Sequence, residues 1–196
     1  MANEGGPAAR STAEGPTLER TIGLTDGVVE LRAPRRSDVD ELHAAVRESL
    51  PELLPWMVWA HPGYSGIDAA EWVRRAARAF ADGVEFQFVA RDAVSRELLG
   101  TLGLNAIDRL NRWANLGYWI RTTRAGEGLV TRGARLVAGF GFGELALGRV
   151  EILAAVDNHR SQAVAERLGA LREGVLRRRL RVGDDVQDAA VFSLVP

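Results

Sequence analysis

The sequence predicts one α/β (α+β) domain organised around a mixed sheet, and three observations carry that expectation. The chain has 196 residues, which at ~150 residues per domain makes one domain, able to bury roughly 70% of its unfolded surface. Its apolar pattern alternates between strand and helix periods in the order β-α-α-α-β-β-β-α-β-α-β-β, with no internal repeat. Its composition, 46% hydrophobic and 26% charged, is that of a globular protein. No run of ~20 apolar residues offers a membrane span, and no apolar signal core is present, so the expected location is the cytoplasm.

Residues 1–22 open on an Ala/Gly/Glu/Ser/Pro-rich stretch without hydrophobic periodicity and read as a disordered leader, with the domain spanning 23–196. Val28 to Arg32 reads as the first strand, broken by Ala33-Pro34. Ser37 or Asp38 can cap a helix to about Ser49, its apolar face set by Val39, Leu42, Val46 and Leu50. Leu50 to Gly66 holds three Pro and two Trp and reads as a short helix or loop. Ile67 to Asp82 is an amphipathic helix, with Asp68 placed to cap it and Asp82-Gly83 to stop it.

Strands follow at Glu85–Ala90, Leu98–Ile107 and Ala114–Arg121, the last with Gly117 inside, where a strand glycine suggests a bulge. Gly126 to about Leu145 has helical apolar spacing but contains Gly133, Gly139, Gly141 and Gly143. Each interior glycine costs ~0.5–1 kcal/mol relative to Ala, so packing against the rest of the fold must hold this helix. Val150–Val156 is a buried strand, Asn158–Leu168 a helix stopped by Gly169, and Leu171–Val182 with Val186–Val195 a hairpin around Gly183-Asp184-Asp185.

Absences narrow the chemistry. The charge balance is 25 basic against 26 acidic residues, net −1, with no basic excess for nucleic acid or a membrane surface. Cysteine is absent, which removes disulfides, thiolate metal sites and thiol nucleophiles. Lysine is absent too, so a Schiff base and a Walker-type P-loop are impossible. His43, His61 and His159 are the only histidines, and none stands at i, i+4 from another, so no metal site is expected. The Arg177-Arg178-Arg179-Leu180-Arg181 run reads as a solvated strand face rather than an RNA site.

Two stretches carry chemistry. In Tyr118-Trp119-Ile120-Arg121-Thr122-Thr123-Arg124-Ala125-Gly126-Glu127-Gly128-Leu129-Val130-Thr131, a strand ends in an Arg/Thr/Gly loop that opens into a helix. Free amides and the macrodipole at a helix N-terminus bind phosphate. Gly126 and Gly128 allow close approach, the Thr131 hydroxyl can donate, and Arg121 and Arg124 can reach phosphate oxygens. The bland alternative is a glycine turn without a ligand. A dinucleotide-binding fingerprint fits poorly, because its third glycine falls on Thr131. The second stretch, Asp157-Asn158-His159-Arg160-Ser161, ends a strand and opens a helix, with Asp157 or Asn158 as cap.

Taken with Leu31-Arg32 and Asp38, Pro55-Trp56, Leu116-Gly117, Arg149-Val150-Glu151-Ile152, Leu168-Gly169, Glu173-Gly174, Leu176-Arg177 and Asp188, these stretches in this order resemble the GNAT superfamily of acyl-CoA N-acyltransferases, and within it the RimJ/RimL ribosomal-protein N-acetyltransferase branch, over about Val28 to Val195. The resemblance implies a three-layer fold: a mixed seven-stranded sheet with helices on both faces, splayed between its fourth and fifth strands, here Ala114–Arg121 and Arg149–Val156. Acetyl-CoA would lie in the splay, its pyrophosphate on the amides of Gly126, Glu127, Gly128, Leu129, Val130 and Thr131. A bulge near Gly117 to Trp119 would free backbone donors at Trp119, Ile120 and Arg121 for the pantetheine arm and thioester carbonyl, and Asn158 would contact the arm or a water.

The sequence departs from the family pattern at two points. Thr123 stands at the first position of the pyrophosphate motif, with Arg124 one place later, and Ala165 stands where many members have the tyrosine that protonates the leaving thiolate. Ser161 is the candidate replacement, its alternative role being a first-turn serine bonded to backbone. Glu151 is the candidate base, with Asp188 and Glu85 behind it. Trp56, Trp59 and Tyr118 are candidates for the acceptor side. Three functions follow: acetyl transfer to a protein N-terminal α-amino group, acetyl transfer to a small amine such as an amino acid, polyamine or antibiotic, or a non-catalytic acyl-CoA sensor. The protein is expected to act as a monomer or homodimer.

Overall fold

The computed structural model describes residues 22–196. Apart from Ile22, the expected leader lies outside the described residues. The strands are β1 (Gly23–Thr25), β2 (Val29–Arg32), β3 (Phe86–Asp92), β4 (Leu98–Asp108), β5 (Trp113–Ile120), β6 (Arg149–Ala155), β7 (Leu171–Val182) and β8 (Asp185–Leu194). The helices are α1 (Val39–Leu53), α2 (Gly66–Ala81), α3 (Leu129–Gly143) and α4 (His159–Leu168). The strands form one sheet in the order β1-β2-β3-β4-β5-β6-β8-β7. All neighbours are antiparallel except β5 and β6.

Strand alternation divides the interior in two. Phe86 and Phe88 on β3 point to the α3 face, where edge-to-face contacts join them to Phe80 and Phe140 at centroid distances of 5.1–5.6 Å. Leu104, Leu116, Val137, Val150 and Ile152 complete that core. Val89, Leu98 and Trp119 point to the other face and pack on Leu42, Val46, Leu50 and Val73 of α1 and α2. Burying side chains of this size contributes ~1.5–3 kcal/mol each. The glycines of α3 have a packing role: a Cβ at Gly133 would stand 3.0 Å from Leu102, and one at Gly141 3.0 Å from Leu104, so the helix lies directly on the sheet.

Three expectations are corrected. The sheet has eight strands, because Gly23–Thr25 folds back on Glu30–Arg32. The signal was present in Asp26-Gly27: Gly27 takes φ +85° and Asp26 accepts from the amides of Val28 and Val29. Helix α1 does not stop at Ser49 but runs through Pro51 to Leu53, since the buried Leu50 and Leu53 hold it against the core. Residues 54–65 then form turns, the loop alternative of the two expected there. No bulge falls at Gly117 to Trp119: the β4–β5 register is unbroken from Gly100–Ile120 to Asn105–Asn115 and shifts only beyond, where Ala106 has positive φ.

A buried ion cluster closes the α1 end of the sheet. Asp38 is fully buried, with Arg32 Nη2 2.6 Å and Arg91 Nη2 2.8 Å from the same oxygen, and with the Arg35 amide donating to the other at 2.7 Å. Burial pushes the carboxyl's pKa up, but the bonds from Arg32, Arg91 and the Arg35 amide outweigh it, and the net shift is downward. Asp38→Ala should therefore strand two guanidinium groups and destabilise the fold by ~3–5 kcal/mol in urea unfolding. Because the carboxyl is depressed in the folded state, its contribution is complete above its unfolded value of about 3.9 and is lost as pH falls further; the wild-type advantage over Asp38→Ala should shrink over that acid range.

Candidate active site

Strands β5 and β6 pair over only three positions, Trp113–Arg149, Ala114–Val150 and Asn115–Glu151. Beyond them β5 stays on β4 to Ile120, while β6 stays on β8 to Ala155. The two parallel strands therefore diverge toward their C-terminal ends, the end of a parallel pair where ligands bind in open α/β sheets. Helix α3 follows one arm and α4 the other, so both helix N-termini flank the mouth. The amide of Arg121 donates to Leu99 O at 2.7 Å. By ladder alternation the amide of Trp119 also faces β4, that of Leu116 faces β6 at the last paired position, and those of Tyr118 and Ile120 face the gap. A cavity of about 720 Å³ occupies this region.

The loop after β5 is built to expose amides. Gly126 (φ +89°) and Gly128 (φ +76°, the N-cap of α3) are left-handed, a conformation that glycine adopts freely. The first helical bond runs from the Arg132 amide to Gly128 O, which leaves the amides of Leu129, Val130 and Thr131 without helical acceptors. The arginines are placed differently from the expectation that they reach phosphate. Arg121 binds Glu48 at 2.6 Å and Glu97 at 2.7 Å. Arg124 binds Glu97 at 2.7 Å, Glu127 at 2.9 Å and Asp92 at 3.1 Å. Four carboxylates from α1, the β3–β4 hairpin and the loop itself thus claim both guanidinium groups. Asp92 is held down at about 2 by the Ser95 amide and then by Arg124. The pair anchors the loop, and backbone amides remain its free donors.

On the other arm Asn158 caps α4, its Oδ1 accepting from the Ser161 amide at 3.1 Å. Asn158 and Ser161 both line the cavity. So does Tyr118, whose side chain lies on the α3 side of the sheet rather than with the tryptophans. Its hydroxyl donates to Ser161 O at 2.9 Å and accepts from Ser161 Oγ at 3.2 Å. Burial pushes the phenol up to about 12, with the Ser161 bond pulling the other way. This hydroxyl pair was not foreseen: 43 residues separate its members, and no local pattern links them.

Trp119 faces the opposite side and meets Trp59 at 5.9 Å between centroids, and Trp59 meets Tyr64 at 6.0 Å. Trp56, Trp59, Trp72, Asp68, Glu71 and Glu85 line this half of the cavity. Trp72, Asp68 and Glu71 come from α2, where the sequence signals only a capped amphipathic helix. Glu151 is not among the cavity residues; it sits where the strands begin to part, its carboxylate accepting from Arg149 Nε at 2.9 Å. Asp188 is engaged by the Arg178 amide at 2.7 Å. The arginine run of β7 lies exposed on an edge strand.

Residues 29–171 match the family model described as "Acetyltransferase (GNAT) domain". The chain belongs to the GNAT acetyltransferase family. One similar protein is the "Putative ribosomal N-acetyltransferase YdaF" of Bacillus subtilis (strain 168), 31% identical over 170 residues, covering 85% of this chain and 91% of that one. Another is the "Ribosomal-protein-serine acetyltransferase" of Escherichia coli (strain K12), 29% identical over 99 residues, covering 50% of this chain and 55% of that one. The fold is shared with RimL, a ribosomal L7/L12 α-N-protein acetyltransferase solved with coenzyme A, at a TM-score of 0.82 and 23% identity over 89% of this chain and 98% of that one.

As a GNAT acetyltransferase the protein draws its acyl group from acetyl-CoA. The residues present fit that molecule: free amides on the α3 loop suit a pyrophosphate, and the strand edge left open at Tyr118 and Ile120 suits an amide-bearing arm. Among the described residues no helix is long and apolar enough to cross a membrane. The loop geometry yields a test. Gly128→Asp keeps a residue type that tolerates the left-handed conformation but sets a carboxylate among the amides; coenzyme A affinity by calorimetry should fall more than tenfold. Unchanged affinity would show that the pyrophosphate lies elsewhere.

Proposed function

We propose that the protein transfers acetyl to the α-amino group at the N-terminus of a protein. The acceptor half of the cavity carries the reading. Asp68, Glu71 and Glu85 line it beside four tryptophans, with Arg75 as the only cation among the described residues. Such a lining attracts an ammonium group and packs the apolar part of the residue that bears it. The names of the two relatives point to ribosomal-protein acceptors.

The reaction needs a neutral amine. No histidine lines the cavity, so its own bases are carboxylates, and Asp68 is held low, chiefly by bonds from Ser65. Weak bases suit an amine that loses its proton easily. An α-amino group, at about 7.7–8.0, is substantially neutral at physiological pH, whereas a lysine-type amine at about 10.4 is not. Acetyl-CoA supplies an activated thioester carbonyl. The amides of Tyr118 and Ile120 offer donors for charge developing on its oxygen, each such donor being worth ~2.7–4 kcal/mol. Ser161 is the proton donor to the departing sulfur, and Asn158 fixes the turn that presents it. Direct transfer needs no nucleophile on the chain.

The size of the cavity, about 720 Å³, keeps a small amine as the second reading, since small-molecule pockets have this volume. Mass spectrometry of reactions with N-terminal peptides, the same peptides N-formylated but carrying an internal lysine, and free polyamines decides between them. Acetylation is expected on the free α-amino group, with kcat/KM rising with pH through about 7.5–8 as the amine deprotonates. Faster transfer to a polyamine would favour the small-amine reading, and coenzyme A binding without transfer to any amine would favour a sensor.

A further inference from the structure

Ser161 alone is a poor proton donor. An aliphatic hydroxyl that gives up its proton is left as a strongly basic alkoxide unless a second proton arrives in the same step. The structure places a second proton there. Tyr118 reaches from β5 across the parted strands to α4, and its hydroxyl touches both oxygens of Ser161, the carbonyl at 2.9 Å and Oγ at 3.2 Å. No other side chain is bonded to Ser161 Oγ among the described residues. The phenol is buried, and only burial and Ser161 act on it; no charged group of β4, β6, α3 or α4 contributes.

We propose that Tyr118 is a positioning residue acting through Ser161, aiming the serine hydroxyl and resupplying its proton. This rests on Ser161 being the proton donor. In the step, the Ser161 hydroxyl turns its proton from Tyr118 Oη toward the departing sulfur, and its O–H bond breaks as that proton passes to sulfur. Ser161 Oγ takes the phenolic proton of Tyr118, which rotates from the Ser161 carbonyl to the adjacent Oγ. The electron pair is left on the phenolate oxygen, which water reprotonates before the next turnover. The balance is one proton from solvent to sulfur through two hydroxyls. At rest the phenol, at about 12, is protonated throughout the working pH range.

Two measurements test this. The first needs no turnover. The chain has two tyrosines, Tyr64 and Tyr118, so ring-labelled protein gives two 13Cζ signals, assigned with Tyr64→Phe. At neutral pH, Ser161→Ala should move the Tyr118 signal and leave that of Tyr64, and Ser161→Thr, which keeps a hydroxyl, should restore it. The second is a kinetic cycle. Tyr118→Phe removes one oxygen and keeps the ring, so kcat should fall ten- to hundredfold, with KM for acetyl-CoA and calorimetric coenzyme A affinity within twofold. Adding it to Ser161→Ala should slow that variant no further. A Tyr118 signal indifferent to Ser161→Ala, additive effects, or wild-type kcat in Tyr118→Phe beside a slow Ser161→Ala would overturn the proposal. Wild-type kcat in Ser161→Ala would instead remove the serine reading on which it rests.

Discussion

A sheet that stops pairing in its middle is the constraint on which the rest of this molecule depends. β5 and β6 share three residue pairs and then separate, although each continues for several residues. Backbone amides and carbonyls facing such a gap lack the partners that a ladder supplies, and buried unpaired backbone groups are costly. The cost is borne by two independent supports. β5 is tied to the β1–β4 half under α1 and α2, and β6 to β8 and β7, so neither arm relies on the other beyond Glu151. What the gap leaves open is a row of oriented donors beside a cavity, an arrangement matched to a long amide-bearing thioester.

Adjacent residues on β5 serve opposite sides of that gap. Strand alternation sends Tyr118 toward α3 and α4, where it meets Ser161, and Trp119 toward α1 and α2, where it meets Trp59. The two halves of the cavity are thus separated by a single peptide unit. A slip of one residue in the β4–β5 register would exchange the two rings and disconnect both halves. Gly100 guards that register: its φ is +155°, and a Cβ there would stand 2.3 Å from Trp119 O, so only glycine lets the two backbones approach.

Arginine is the only cationic side chain besides histidine, and much of it is spent on carboxylates. Arg32 and Arg91 close on Asp38, Arg121 and Arg124 bridge α1, the β3–β4 hairpin and the loop before α3, and Arg149 joins Glu151 to Glu173. The planar guanidinium suits such bridges because one head engages several oxygens in fixed directions. The consequence is that the free donors of the loop before α3 are backbone amides, which no titration or side-chain rotation removes.

Local signals in the chain determined most of the elements and the family. Apolar periods marked seven strands and the long helices, glycines marked the loop before α3, and Asn158 marked the start of α4, because helix faces, caps and left-handed turns are decided within a few residues. Missed local evidence lay in the Asp26-Gly27 turn, where three residues of β1 were too few to show a period, and at the start of α2, where Ser65 is the cap and Asp68 its capping-box partner. Tertiary structure alone decided that α1 continues through Pro51, that Arg121 and Arg124 face carboxylates, that Glu151 stands outside the cavity while α2 supplies acids to it, and that Tyr118 lies on Ser161. Each of these joins residues far apart in the chain. Their partners are chosen by which elements the core packs together, and composition and spacing carry no record of that choice.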